Sequence, residues 1–298
     1  MEAPSPRKRQ KRLEPIEKAV ADIRLSNDGS KDDYCLQSLK ELHEYMYPEN
    51  EQLKEFRPDI FNLSFGSGGV EVTVCAIKSY FSNEEIVFYG IEILDFFTSQ
   101  LTKSPVSEIS NWVFTRRHAS MIQAGVREIV ISIIDDYINN ETIISRALSV
   151  IEGLMIPESN THYFDNLGLE QRLVSIMRKF DGAHGGIGAQ VCSLISTFCH
   201  NNNRRRVSFA ALGAIDLVYN AIVDYFGEKN EEDLIWALTA AESLLGSRSM
   251  LLNWENRDSF LEKGICTLLD HIRNSEAKSE NDILQLVCSE TPRENEQF

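Results

Sequence analysis

A glycine followed by a helical apolar pattern occurs four times in this chain, and this repetition constrains the fold more than any other feature. The glycines, separated by 43, 45 and 51 residues, are Gly125, Gly168, Gly213 and Gly264. A large apolar residue stands four positions before each, at Met121, Phe164, Phe209 and Phe260. Self-similarity at roughly 20–50 residues is typical of proteins whose units bury their apolar faces against their neighbours. The spacing therefore predicts stacked units.

Each unit is interpreted as a short helix, a glycine corner, a second helix, a loop and a third helix. Apolar residues recur at intervals of three and four almost throughout residues 31–288, which is the spacing of amphipathic helices. A fifth, degenerate unit starts at Gly69. The sequence therefore predicts an all-α chain.

The corner sequences resemble those of the armadillo repeat family. The match to its first helix and corner runs from Asn256 to Ile265 and from Arg205 to Ile215, and Trp236 is similar to the opening of its third helix. The resemblance covers about residues 60–288 and implies an armadillo-like, right-handed α-solenoid of about five helical repeats. The period alone also fits a HEAT array, and a non-repeating helical domain is a further alternative.

The pattern divides the chain into three regions. Residues 1–30 are predicted to be a flexible N-terminal tail, residues 31–288 the helical repeat domain, and residues 289–298 a polar C-terminal tail. The first region holds a basic cluster, which consists of Arg7, Lys8, Arg9, Lys11 and Arg12. Such clusters are typical of signals that bind a nuclear import receptor, so we predict a nuclear or nuclear and cytoplasmic location. The alternatives are a solubilising tail and a nonspecific contact to phosphate.

Ser5 precedes a proline and the basic cluster, as in a proline-directed kinase site. A phosphate there would add about two negative charges and should weaken receptor binding. We therefore predict Ser5 as a phosphorylation site.

The overall charge disfavours two classes of partner. The chain has 30 Lys and Arg residues against 45 Asp and Glu, a net charge of −15. A protein that wraps nucleic acid or lies on anionic lipid needs a positive surface. The composition therefore predicts neither direct nucleic-acid binding nor membrane binding.

No motif indicates catalysis, a cofactor or a metal. The histidines form no HExxH motif, and Cys192, Cys199 and His200 offer too few ligands for structural zinc. The glycine-rich segment Gly182–Gly188 lacks the Lys-Ser/Thr of a P-loop and is interpreted as a connecting loop.

The cysteines lack the regular spacing of a disulfide framework, which predicts reduced thiols. Arg204–Arg206 are interpreted as exposed charges at a helix start, or as a contact for an acidic partner.

The third helices carry the candidate binding residues. In armadillo arrays these helices line the concave groove in which extended partners lie. Here a polar pair recurs on the face opposite the apolar positions, as Glu92/Asp95, Ser149/Glu152, Ser193/Ser196 and Thr239/Glu242. In one register these pairs are predicted to form a column of acceptors and carboxylates that suits a basic or hydroxyl-rich segment. An ordinary solvated face is the alternative.

These features predict a non-enzymatic protein–protein interaction scaffold that binds a partner segment on its concave third-helix surface. The alternatives are a nuclear transport adaptor resembling importin-alpha and a regulatory subunit of an enzyme complex. Such adaptors clamp peptides with paired tryptophans and asparagines on their third helices. Here Ala240 stands four residues after Trp236, and Val150 and Leu194 occupy the equivalent positions on the other third helices, which counts against the adaptor.

Overall fold

A computed structural model describes residues 6–26, 32–47, 58–103, 111–156, 158–180, 186–246 and 254–274. The described residues form fifteen α-helices and one 3-10 helix, with no strand among them, which confirms the predicted all-α class. The chain divides into two compact units, which are Met1–Leu167 (unit 1) and Gly168–Phe298 (unit 2).

The described part of unit 1 contains eight α-helices followed by the 3-10 helix Glu158–Phe164. The α-helices are α1 (Pro6–Ser26), α2 (Asp32–Met46), α3 (Pro58–Gly66), α4 (Gly69–Ser79), α5 (Glu84–Lys103), α6 (Asn111–Ala124), α7 (Val126–Asp136) and α8 (Glu141–Met155). Helices α5 and α8 are the third helices of their repeats, and α2 takes the equivalent place before them. Helix α5 packs against both α2 and α8.

Seven α-helices lie in the residues of unit 2 that the structure describes. They are α9 (Leu169–Lys179), α10 (Ile187–Cys199), α11 (Asn203–Ala211), α12 (Ala214–Glu228), α13 (Glu231–Leu245), α14 (Trp254–Glu262) and α15 (Ile265–Asn274). Helices α11, α12 and α13 form one complete three-helix repeat. The third helices α10 and α13 pack along each other.

Five glycines turn the chain from a first helix into a second helix. Their φ angles are positive, at Gly68 (83°), Gly125 (88°), Gly168 (64°), Gly213 (85°) and Gly264 (81°). Glycine adopts this left-handed conformation without a steric penalty, because it has no Cβ atom. The predicted corners are therefore confirmed, except that the corner of the degenerate unit is Gly68 and not Gly69. The helices bend by 64° between α3 and α4 and by 80° between α11 and α12.

The apolar residues that precede the corners form part of the core. Met121, Phe164, Phe209 and Phe260 are all completely buried, as their common spacing from the glycines predicts.

Within the described helices, none is by itself long and apolar enough to cross a membrane. Two bent pairs, α3 with α4 and α11 with α12, together meet the length and composition requirement.

The prediction of a flexible tail over residues 1–30 is wrong for residues 6–26, which form helix α1. Helix α1 buries Ile16, Ala19, Val20 and Ile23 and packs on α2, α3 and α4. The physical reason is the spacing of these apolar residues, which forms one helical stripe despite the surrounding charges. The helical domain therefore begins before residue 31. The predicted C-terminal tail, residues 289–298, lies outside the described residues.

Two of the three consecutive arginines are buried, so the prediction of exposed charges holds only for Arg204. The guanidinium carbon of Arg205 lies 3.8 Å from the centroid of the Phe198 ring, and Nη1 donates to the Phe198 carbonyl at 3.1 Å. Arg206 is also buried. The planar guanidinium stacks on the aromatic face, which explains how Arg205 is accommodated in the interior.

The cysteines only partly follow the prediction of reduced thiols. Cys35, Cys192 and Cys199 are buried free thiols, and Cys75 is free and exposed. Burial raises the pKa of Cys192 and of Cys199 to about 12, so both are thiols at neutral pH. Cys266 is disulfide-bonded, which corrects the prediction for that residue. It is only partly buried, whereas Cys35, Cys192 and Cys199 are buried.

Candidate partner-binding surface

The acidic pair on α5 does not lie on an exposed surface. Glu92 and Asp95 are both buried, although they lie on the predicted polar face of the helix. Because α5 packs against α2 and α8, side chains from both neighbours cover this face. The exposed position that was predicted for Glu92 and Asp95 is therefore wrong.

Side chains of both neighbouring helices contact the acidic pair. His43 Nε2 of α2 lies 2.6 Å from Glu92 Oε2, and Arg146 Nε of α8 lies 2.9 Å from Glu92 Oε1. Arg146 Nη1 also donates to Asp95 Oδ2 at 3.3 Å, and the Tyr47 hydroxyl donates to the Glu92 carbonyl at 3.2 Å. These five residues are called the Glu92 cluster below. Each carboxylate thus already has a cationic partner.

The electrostatics of Glu92 reflect these partners. Burial by itself raises the pKa of the carboxyl, but the hydrogen bond from His43 and the charge of Arg146 outweigh it. The net effect holds the pKa of Glu92 below its usual value, because both partners favour the charged form. Burial also raises the pKa of Tyr47, so its hydroxyl remains a donor.

Sequence reasoning missed His43 and Arg146 as members of this cluster. A signal was present for Arg146, which stands three residues before Ser149 and therefore on the same face of α8.

The predicted pair on α8 is only partly accessible. Ser149 is partly buried and its hydroxyl donates to the Ser145 carbonyl at 3.2 Å. Glu152 is also partly buried.

In unit 2 the predicted hydroxyl groups are largely engaged within the protein. Ser193 is buried, and the hydroxyl groups of Ser196 on α10 and Ser243 on α13 share a hydrogen bond of 2.8 Å. The Thr239 hydroxyl donates to the Ile235 carbonyl at 2.7 Å. Glu242 is partly buried. Ser196 and Ser243 therefore link α10 to α13.

Helix α13 has an exposed apolar pair on an acidic face. Ile235 is 49% exposed and Trp236 is 41% exposed. Helical spacing places both on one face, called the α13 face, together with Glu231, Glu232, Thr239 and Glu242. Helix α13 contains four acidic residues and neither Lys nor Arg, and α10 contains no charged residue. Sequence reasoning named Trp236 only as a family match and missed its exposure.

The small residues of α13 explain why its large apolar residues remain outside. Ala237, Ala240 and Ala241 are buried and allow close packing of the helix. Val150 on α8 and Leu194 on α10 are also buried. The positions at which an import adaptor would carry the asparagines of its peptide clamp are therefore core positions in this chain.

The remaining predicted sites are only partly described. The backbones of Arg7, Lys8, Arg9, Lys11 and Arg12 lie in α1, but their side chains are outside the described residues, as is Ser5. Gly186, in the glycine-rich segment, caps α10 with a φ of 75°, and residues 182–185 are outside the description. Among the described residues, no group of three or more His, Cys, Asp or Glu is placed to hold a metal ion.

Solved structures identify the fold. An engineered protein is similar to the chain with a TM-score of 0.63 at 12% identity, over 92% of this chain and 93% of that one. A designed armadillo repeat protein in complex with the peptide (KR)4 is similar with a TM-score of 0.59 at 15% identity, over 92% and 96%. The chain has an armadillo-like repeat fold.

A second engineered protein is similar to this armadillo-like chain with a TM-score of 0.55 at 11% identity, over 92% of this chain and 66% of that one. No protein-family model and no curated protein matches the sequence. Armadillo-like folds generally serve as protein-binding scaffolds and are typically non-enzymatic.

Proposed function

We propose that this armadillo-like protein is a non-enzymatic scaffold that binds a basic, extended segment of a partner protein on its third helices, and that the α13 face is the principal contact. One observation carries the proposal. An exposed tryptophan stands beside an exposed isoleucine on a helix with four acidic residues and no Lys or Arg.

The chemistry of the α13 face suits lysine and arginine side chains. Their aliphatic stems can lie on Trp236 and Ile235 while the charged ends reach Glu231 and Glu232. A cation over an exposed indole contributes about 0.5–1 kcal/mol. Negative charge on the helix also attracts a basic segment over a longer distance and speeds its capture. The designed armadillo repeat protein in complex with (KR)4 is a protein of similar fold with a basic ligand, which supports this partner class.

A binding measurement tests the α13 face. We expect Trp236→Ala to weaken binding of a synthetic Lys-Arg octapeptide about two- to fivefold, because it removes the stacking surface. We expect Glu232→Lys to weaken binding further, with a larger effect at low ionic strength, because exposed charges are screened by salt. Isothermal titration calorimetry at two salt concentrations measures both effects.

Two control variants match these changes elsewhere in unit 2. Val223→Ala removes exposed apolar surface from α12, and Glu262→Lys reverses an exposed charge on α14. Both should bind the octapeptide as the unmodified protein does. Equal losses in the control and test variants would rule out the α13 face as the contact.

We also propose that the basic cluster directs the scaffold to the nucleus through an import receptor. Replacing Arg7, Lys8 and Arg9 with alanine in the full chain should abolish nuclear enrichment, because the receptor requires closely spaced cations. Ser5→Glu should reduce enrichment and Ser5→Ala should preserve it. Quantitative imaging of a tagged protein measures each variant.

A control removes cations from elsewhere in the chain. Replacing the exposed Lys179 and Lys229 with alanine lowers the positive charge by two but leaves the basic cluster intact. This variant should remain nuclear. A cluster variant that retains the unmodified distribution would refute the import signal.

A further inference from the structure

We propose that Arg146 acts as an internal competitor that prevents basic segments from binding the third helices of unit 1, so that capture of such segments is restricted to the α13 face of unit 2. The inference rests on the function proposed above, because it concerns the same class of ligand. It adds a residue that determines where along the chain a basic segment is bound.

Arg146 occupies the place that a basic ligand would take. Its guanidinium contacts Glu92 Oε1 at 2.9 Å and Asp95 Oδ2 at 3.3 Å, so one cation engages both carboxylates of α5. A guanidinium held by two carboxylates makes charge-assisted hydrogen bonds, which are stronger than neutral ones. The acidic pair is thus filled by a side chain of the protein itself.

Arg146 is also the outer member of the group. Its side chain is 43% exposed, whereas the side chains of Glu92 and Asp95 are each 12% exposed. A basic segment that approaches from solvent therefore meets a positive group before it can reach the carboxylates. Repulsion between like charges should disfavour its binding at this place.

Displacement of Arg146 is costly for a ligand. The arginine is tethered to α8, so its effective concentration at the acidic pair is far above that of a free peptide. His43 holds the other side of Glu92, with Nε2 2.6 Å from Oε2. A lysine or arginine from a partner would have to break these contacts to gain equivalent ones.

A third carboxylate in unit 1 also lies beside a cation of the protein. Lys40 Nζ on α2 lies 3.5 Å from Glu85 Oε1 on α5 and 5.3 Å from the centroid of the Tyr89 ring. In unit 2, α10 and α13 contain no Lys, Arg or His that could fill this role. The difference between the two sets of third helices therefore lies in their internal cations, and Arg146 is the one that holds two carboxylates.

The test uses a Lys-Arg octapeptide that carries a photo-crosslinking group. The positions of its cross-links map where it binds on the full chain. We expect cross-links only to α13 in the unmodified protein and additional cross-links to α5 and α8 in Arg146→Gln. We also expect the number of peptides bound per chain to rise from one to two in calorimetry. A purely structural role of Arg146 would change the unfolding temperature without moving the cross-links.

Two further variants complete the experiment. Arg116→Gln removes an exposed cation from α6 and should leave the cross-links unchanged. Arg146→Lys retains the charge but cannot match the two-carboxylate geometry, so it should give a partial gain of cross-links to α5. If Arg146→Gln does not fold, the cross-links of Arg146→Lys to α5 test the inference in its place.

The outcomes separate the inference from the proposed function. Folded Arg146 variants without new cross-links would overturn the inference while leaving binding to α13 intact. Cross-links to α5 in the unmodified protein would overturn it as well. If the unmodified protein binds no octapeptide but Arg146→Gln binds it on α5, the blocking role of Arg146 stands, whereas the function proposed for the α13 face fails.

Discussion

Replacement of Phe209 with alanine should lower the free energy of unfolding of unit 2 by about 3–5 kcal/mol. The ring is completely buried and lies edge-on to Phe198, with 6.2 Å between the ring centroids. Phe209 belongs to the first helix of a repeat and Phe198 to the preceding third helix, so the contact joins two successive repeats. Removal of the ring leaves a cavity and also removes this aromatic contact.

Guanidinium denaturation followed by circular dichroism measures how far Phe209→Ala lowers the free energy of unfolding. The matched control is Val207→Ala on the same helix, where the side chain is 44% exposed and the change should be below about 1 kcal/mol. Phe260→Ala, at the equivalent position of the next repeat, should behave like Phe209→Ala. A similar loss in Val207→Ala and Phe209→Ala would contradict the assignment of Phe209 to the core between repeats.

The sequence predicted the repeat because its signals are local. A corner needs a glycine with positive φ, and a core residue four positions earlier needs only to be large and apolar, so both features are visible within five residues. The error of one residue at Gly68 arose because two glycines are adjacent there. Helix α1 was missed because the basic residues before it dominate the composition, although its apolar stripe from Ile16 to Ile23 is regular.

The candidate site was less predictable because burial depends on contacts between repeats. Helical spacing placed Glu92 and Asp95 on a polar face, and the structure has them on that face. Their burial comes from His43, 49 positions away in sequence, and from Arg146, 51 positions from Asp95. No local pattern reports such contacts. Conversely, the exposure of Trp236 follows from the small alanines elsewhere on α13, which a pattern of apolar residues does not distinguish from core.

The Glu92 cluster should make unit 1 sensitive to acid. Glu92→Gln keeps the shape of the side chain but removes the charge that His43 and Arg146 stabilise. Loss of one partner in a buried ion pair costs about 3–5 kcal/mol, but Arg146 is substantially exposed and solvent screens it, so we expect about 2 kcal/mol at pH 7. Urea denaturation at pH 7 and at low pH measures the difference between the variant and the unmodified protein.

The sign of the pH dependence follows from the lowered pKa of Glu92. The folded state binds this proton less readily than the unfolded state, in which the pKa is about 4.3. The stabilising contribution is therefore complete above that value and disappears as the pH falls through the lower pKa of the folded state. The gap between Glu92→Gln and the unmodified protein should be largest at pH 7 and should close in acid.

The other charged groups around Glu92 set the comparison that isolates it. Lys40, Glu85 and Asp95 are charged groups on the same helices, so the difference between two variants is more informative than either curve alone. Glu44→Gln removes an exposed carboxylate from α2 and should give a curve parallel to that of the unmodified protein. If the stability gap of Glu92→Gln were the same at pH 7 and in acid, the ionised carboxylate would not be what holds α2, α5 and α8 together, and the connection would have to come from the neutral contacts of the cluster.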